Sequence, residues 1–235
     1  MKQIIAICPL FFALTACPAS IGLPPPPTDN ARPFTASGNE PGWTLTINAD
    51  EMIYVGSYGE TKITTATPAP IYEGKDRVYS NGSMSVRIAP GPCADSMVER
   101  EYASRVTVTV KGQTVSGCGG AIYPPRTLTG TNWQIIAIDG QEISDPRPEN
   151  MIIFEAAAMS GFIGCNRFSA DYTQKNGVLR FGPVAATRKY CPGILGQNEA
   201  ILLTILDGAP SSQFDDEGNM TLRSGNHTAL LARRY

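Results

Sequence analysis

Histidine is nearly missing from this chain: His227 is the only one in 235 residues. The commonest general base and metal ligand is therefore absent from almost its whole length. No G-x-S-x-G elbow, lysine-bearing phosphate loop, H-E-x-x-H pair or G-x-G-x-x-G fingerprint occurs, so the templates for serine hydrolases, nucleotide enzymes, zinc proteases and dinucleotide oxidoreductases fail. Carboxylate pairs for glycoside hydrolysis leave no spacing signature, and a hydrolase of cell-wall glycan or peptide stays as the third reading. Positive charge is not in excess either. Lys and Arg number 19 against 21 Asp and Glu, for a net charge of −2, and no basic cluster offers a footprint for nucleic acid. The longest apolar stretch, from Ile4 to Leu14, falls short of the roughly 20 residues that span a bilayer.

What is there begins with MKQIIAICPLFFALTAC. Lys2, the apolar run and the small residues Thr15 and Ala16 describe a secretory signal over residues 1–16. Leu14-Thr15-Ala16-Cys17 resembles the bacterial lipobox, which implies that Cys17 carries covalent lipid and becomes the first residue. Two or three buried acyl chains, at about 0.8 kcal/mol per methylene, anchor a protein where one does not. The Pro24–Pro27 run within residues 17–33 reads as a stalk, since polyproline extends about 3.1 Å per residue. The residue after Cys17 is Pro18; in the resembling lipoproteins an Asp there argues for inner-membrane retention, so the expected location is the periplasmic face of the outer membrane.

With Cys8 removed and Cys17 lipidated, Cys93, Cys118, Cys165 and Cys191 remain. The stretch AIYPPRTLTG separates them into two pairs and suggests a linker at 123–128 between domains at 34–122 and 129–235. Four cysteines allow three connectivities. Only Cys93 with Cys118 and Cys165 with Cys191 keeps each bond inside one candidate domain, and an exported protein favours disulfides. No C-x-x-C spacing supports a thiolate metal site, so the expected cofactor set is empty apart from the lipid on Cys17.

Period-two alternation at 43–47, 52–55, 84–89 and 105–110 predicts half-buried strands in the first half, with turns at Asn81-Gly82 and Lys111-Gly112. GNEPGW, from Gly38, together with CADSM at 93–97 and SGCGG at 116–120, resembles an uncharacterised domain of bacterial envelope lipoproteins whose pattern is GNEPFW; Gly42 stands where that pattern has Phe. Glu40 and Trp43 are candidate binding residues, against a structural reading in which the indole supplies buried area and the acid holds a turn. Asp95, Glu99 and Glu101 form an acidic cluster without regular cation-ligand spacing.

In the second half, Trp133, the GCNRF turn at 164–168, Tyr172, TRKYC at 187–191, Glu199 and the terminal TALLARR resemble, in order, the META (HslJ-like) domain of bacterial envelope proteins. The resemblance implies a compact β-rich fold with one short helix. Independently, Ile201, Leu202, Ile205 and Leu206 give NEAILLTIL one apolar face, with Asn198 as cap and Asp207-Gly208 as stop. Gly164 and Asn166 beside Cys165 read as a disulfide-pinned turn rather than a nucleophile site. Trp133 joins the candidate binding residues, and His227 reads as a turn histidine.

The expected fold is thus mainly β, two small antiparallel barrel-like or curled sheets in tandem, the second with one short helix. The expected function is a non-enzymatic accessory role in envelope stress or in tolerance to hydrophobic antibiotics, as the resemblance implies. The alternative is a module inhibiting a wall-degrading enzyme such as lysozyme. Expected partners are the membrane, through the anchor, and an envelope protein or small hydrophobic ligand.

Overall fold

The alternating segments do become strands, and their buried phase decides how the first sheet curls. The structure is a computed structural model describing residues 32–143, 149–175 and 178–235, apart from 96, 98 and 99. The leader, Cys17, the proline run, Glu99 and the Asn176-Gly177 turn lie outside the described residues. Strands β1 (Phe34–Asn39), β2 (Gly42–Ile47), β3 (Glu51–Gly56), β4 (Thr61–Ala66), β5 (Ile71–Glu73), β6 (Asp76–Ser80), β7 (Met84–Ala94), β8 (Glu101–Val110) and β9 (Gln113–Ile122) form one antiparallel sheet in the order β4-β3-β2-β1-β9-β8-β7-β6-β5. Trp43, Leu45, Met52, Val86, Ile88, Val106 and Val108 face inward into a single core. Consecutive in sequence, β4 and β5 are nonetheless opposite edges. Pro68 and Pro70 stand in the connection between them. The sheet still curls nearly shut, because the Asn81 side-chain amide, at the β6–β7 turn, donates to Thr65 Oγ1 at 2.6 Å and to the Ala66 carbonyl at 3.1 Å. Lys111 and Gly112 join β8 to β9 with φ of 50° and 79°, the double positive φ of a type I′ hairpin turn.

The second sheet is built from β10 (Thr131–Ile138), β11 (Gln141–Glu142), β12 (Met151–Phe154), β13 (Ala158–Ile163), β14 (Asn166–Lys175), β15 (Val178–Phe181), β16 (Ala185–Ala186), β17 (Ser211–Phe214), β18 (Met220–Ser224) and β19 (His227–Arg234). The main path runs β15-β14-β13-β12-β10-β19-β18-β17, with β11 on β10 and β16 on β14. The one α-helix among the described residues, α1 (Gly193–Asp207), packs on β10, β13, β18 and β19. It presents Leu202, Ile205 and Leu206, all fully buried, to a core that includes Trp133, Ile152, Phe154, Met159 and Leu231.

The helix starts five residues earlier than NEAILLTIL suggests. Pro192, extended at φ −77° and ψ 152°, is the N-cap residue. Asn198 is therefore not a cap but a buried mid-helix residue. Gly208 ends the helix as expected, its N–H donating to the Thr204 carbonyl at 3.1 Å.

Pro33–Tyr235 forms one compact unit that holds both sheets and both cores. At the end of β9 the Ile122 N–H donates to the Asp216 carbonyl at 2.8 Å, and Gly218 packs on Ile122. The Tyr235 ring lies 4.0 Å from the Arg100 guanidinium and 4.6 Å from that of Arg233. Both disulfides have the expected partners, Cys93 with Cys118 and Cys165 with Cys191.

Candidate functional site

The separated motifs of the second half meet at one side chain. Asn166, 2% exposed, begins β14 directly after the turn at Gly164 and Cys165. Its amide nitrogen donates to the Lys189 carbonyl at 2.9 Å and to both Glu199 carboxylate oxygens at 2.9 Å. Its Oδ1 accepts from the Thr187 hydroxyl at 2.7 Å and the Lys189 N–H at 2.8 Å. The GCN turn, the TRKYC segment and the helix are thus tied by one amide and by the Cys165–Cys191 bond. Gly164 sits at φ 62°, where a Cβ would also meet Cys191 Sγ and Leu195, so glycine is required twice over. Asn166 is buried and its bonding capacity is filled, so this side chain ties the fold together, while Thr187, Lys189 and Glu199 also line a hollow of about 840 Å³.

The candidate binding residues of the sequence reading are dispersed. Trp133 is 0% exposed, its Nε1 donating to Thr131 Oγ1 at 2.7 Å, and Trp43 is 3% exposed and stacked on Tyr54 at 6.2 Å. Both indoles are core residues, and for Trp43 this is the structural reading that stood beside its candidacy. The physical reason is the phase of β2 and β10: each Trp shares the inward phase with fully or nearly fully buried aliphatics, Leu45 and Ile135. Glu40, exposed, instead lines a cleft of about 530 Å³ with Asn39, Asp95, Arg105, Ser116 and the Cys93–Cys118 bridge. In that cleft Asp95 Oδ1 accepts from the Asn39 amide at 2.8 Å and the Met97 N–H at 2.7 Å, so this acid fixes a turn. Glu101 opens β8.

His227 begins β19, and its Nδ1 lies 2.8 Å from Asp139 Oδ2. The Thr228 N–H donates to Asp139 Oδ1 at 2.7 Å, and that bond, followed by the one to His227, holds the Asp139 carboxyl below the usual carboxylate range. The pair joins the β10–β11 and β18–β19 turns on the surface, where such bonds contribute about 1 kcal/mol or less.

A feature the motifs do not announce lies on the solvent side of the second sheet. The register aligns Met151 with Phe162 and Phe162 with Arg167 across β12, β13 and β14. One step along, Ile153, Ser160, Ser169 and Ala185 align in the same way. These side chains share the face opposite Ile152, Phe154 and Phe168, which are buried. They line a groove of about 560 Å³ that is mostly apolar, within the roughly 300–1,000 Å³ typical of small-molecule sites. The readable signal was MIIF at 151–154: four apolar residues in a row make both faces of a strand apolar, and only one face can be core.

Residues 126–234 match the META domain family. Among solved structures, an NMR structure of a protein from Burkholderia xenovorans shares 28% identity, covering 46% of this chain and 83% of that one, with a TM-score of 0.39. A second NMR structure shares 22% identity over 46% of this chain and 93% of its own, with a TM-score of 0.41. None of the curated proteins matches the chain. The segment that carries the asparagine hub, the second disulfide and the apolar groove is thus the one that matches the META domain family, residues 126–234.

Proposed function

We propose that this chain is a non-enzymatic, lipid-anchored protein of the cell envelope whose META domain binds small hydrophobic molecules, and that this binding underlies a role in tolerance to bulky hydrophobic antibiotics and to envelope stress. The observation that carries the reading is the groove on the outer face of β12, β13 and β14. Half-buried Met151, Ile153 and Phe162 occupy a solvent side where a sheet normally places polar residues. Asn166 is buried and its amide is committed to Thr187, Lys189 and Glu199, which favours a structural over a catalytic use of that residue. A lipid on Cys17, which the lipobox resemblance of Leu14-Thr15-Ala16-Cys17 supports, would hold the protein at the periplasmic face of the outer membrane.

Ser160→Trp tests the groove. Ser160 is exposed on the groove floor, so an indole there fills the cavity without entering the core. The neutral dye N-phenylnaphthylamine should brighten with the wild-type chain and bind at least about tenfold more weakly to the variant, with melting unchanged. Equal binding by a folded variant, or no binding by the wild type, removes the reading. The tether is tested by Cys17→Ser, whose hydroxyl cannot form the thioether. The variant is expected in the soluble fraction or unprocessed, and a processed, membrane-bound variant contradicts the anchor.

A further inference from the structure

Resting on the reading of the groove as an apolar-ligand site, we propose that its ligand is an anionic amphiphile, an alkyl chain ending in a carboxylate or phosphate, and that Arg167 is the residue that selects the anion. The chain lies over Met151, Ile153 and Phe162, and the head meets the guanidinium. Four observations lead there. Arg167 is held firmly by its backbone: its N–H donates to Thr187 Oγ1 at 3.1 Å and its carbonyl accepts from the Thr187 N–H at 2.9 Å. Its side chain projects onto the groove face, with the guanidinium 5.9 Å from the Phe162 ring centroid. It makes no ion pair with a described carboxylate, and Glu149, which lines the same groove, does not pair with it. Elsewhere on the molecule a cation on a sheet face is neutralised: Arg87 engages both Glu73 and Asp76.

Beyond the groove, where Glu149 is the one acid among the lining residues, basic residues are in excess. Ala185, Ala186 and Thr187 also line a second hollow, with Arg188, Lys189 and the 90%-exposed Tyr190. The acid there, Glu199, already accepts from Asn166. A cation beside an apolar trough fits a molecule with one charged end. A guanidinium takes carboxylate and phosphate alike through paired N–H donors, whereas a neutral hydrocarbon leaves that charge unanswered.

The test uses the soluble Cys17→Ser chain with N-phenylnaphthylamine as reporter and four competitors: dodecanoate, dodecyl phosphate, 1-dodecanol and inorganic phosphate. Dodecanoate and dodecyl phosphate should displace the dye about tenfold better than dodecanol, equivalent to about 1.4 kcal/mol, and inorganic phosphate should not compete. Arg167→Gln should erase the gap by weakening the two anions alone, and Arg167→Lys should keep part of it. Equal displacement by dodecanoate and dodecanol, a gap that survives Arg167→Gln, or competition by inorganic phosphate alone overturns the proposal. In each of those cases dye binding itself persists, so the groove reading stands; loss of dye binding altogether sinks both. Should Arg167→Gln melt below the wild type, the comparison of dodecanoate with dodecanol on the wild-type chain decides.

Discussion

Asn166→Ala should destabilise the second sheet by about 3–5 kcal/mol, more than any surface substitution discussed above. The side chain satisfies the Lys189 N–H and carbonyl, the Thr187 hydroxyl and the Glu199 carboxylate from a buried position. Truncation removes these bonds together, at about 0.5–1.5 kcal/mol net for each and more where the carboxylate takes part. Asn166→Asp is a sharper form of the experiment. It keeps the acceptor for Thr187 and Lys189 but turns the donor toward Glu199 into a carboxylate facing a carboxylate. Like charge raises a carboxyl pKa above its unfolded value, so protonation favours the fold. The deficit of this variant should shrink as pH falls into the carboxylate range and grow as pH rises. The chain has two tryptophans, one in each core. Urea unfolding of single-Trp variants therefore separates the halves, and the Trp133 transition should move while the Trp43 transition stays. A variant that melts like the wild type at neutral pH refutes the hub.

Breaking the second disulfide should be comparably costly. Cys165 and Cys191 close a loop with a sequence separation of 26, worth about 3–4 kcal/mol in the chain-entropy model. The bond also fixes the segment that leads into α1 against the Gly164 turn. Cys165→Ala and Cys191→Ala should therefore lower stability equally. The double variant should be no worse than either single one, because both remove the same constraint. Unequal losses, or additive ones, would show that the thiols act separately. His227→Ala and Glu40→Gln, at exposed or half-exposed positions, are the matching controls and should leave the Trp133 transition nearly in place.

Much of the architecture could be read from residue order because burial and period coincide there. Leu45, Met52, Val86 and Val108 are inward residues of alternating stretches of strand, and Leu202, Ile205 and Leu206 are inward residues of a helix. Cysteine pairing followed from the proline-marked division. What escaped reading involves residues whose role is set by a neighbour distant in sequence. QTVSGCGGAI became the ten-residue strand β9 despite three glycines; a Cβ at Gly117 would run into the Ser37 backbone and the Trp43 indole, and one at Gly119 into Ala36 and the Thr35 carbonyl. Close packing against β1 demands what propensity argues against. Asn198 resembled a cap because its residue type favours that position, but the helix begins before it, at Gly193 behind the N-cap Pro192. Trp43, a ligand candidate because an acid stands near the indole, has the buried structural place that was the other reading, and strand phase buries Trp133 likewise. The groove was legible only as a surplus: Met151 and Ile153 are the apolar residues left over once Ile152 and Phe154 had entered the core.

Occupation of the outer groove, with the motif residues serving only to build it, is most directly tested by complementation in a strain lacking this protein. Wild type, Ser160→Trp and Cys165→Ala are expressed from the same position, and growth is scored against a bulky hydrophobic antibiotic beside melts of the purified proteins. Ser160→Trp should fold and reach the envelope like the wild type yet fail to restore tolerance, while Cys165→Ala should lose tolerance only in proportion to its lost stability. Full restoration by a folded Ser160→Trp chain would contradict the account.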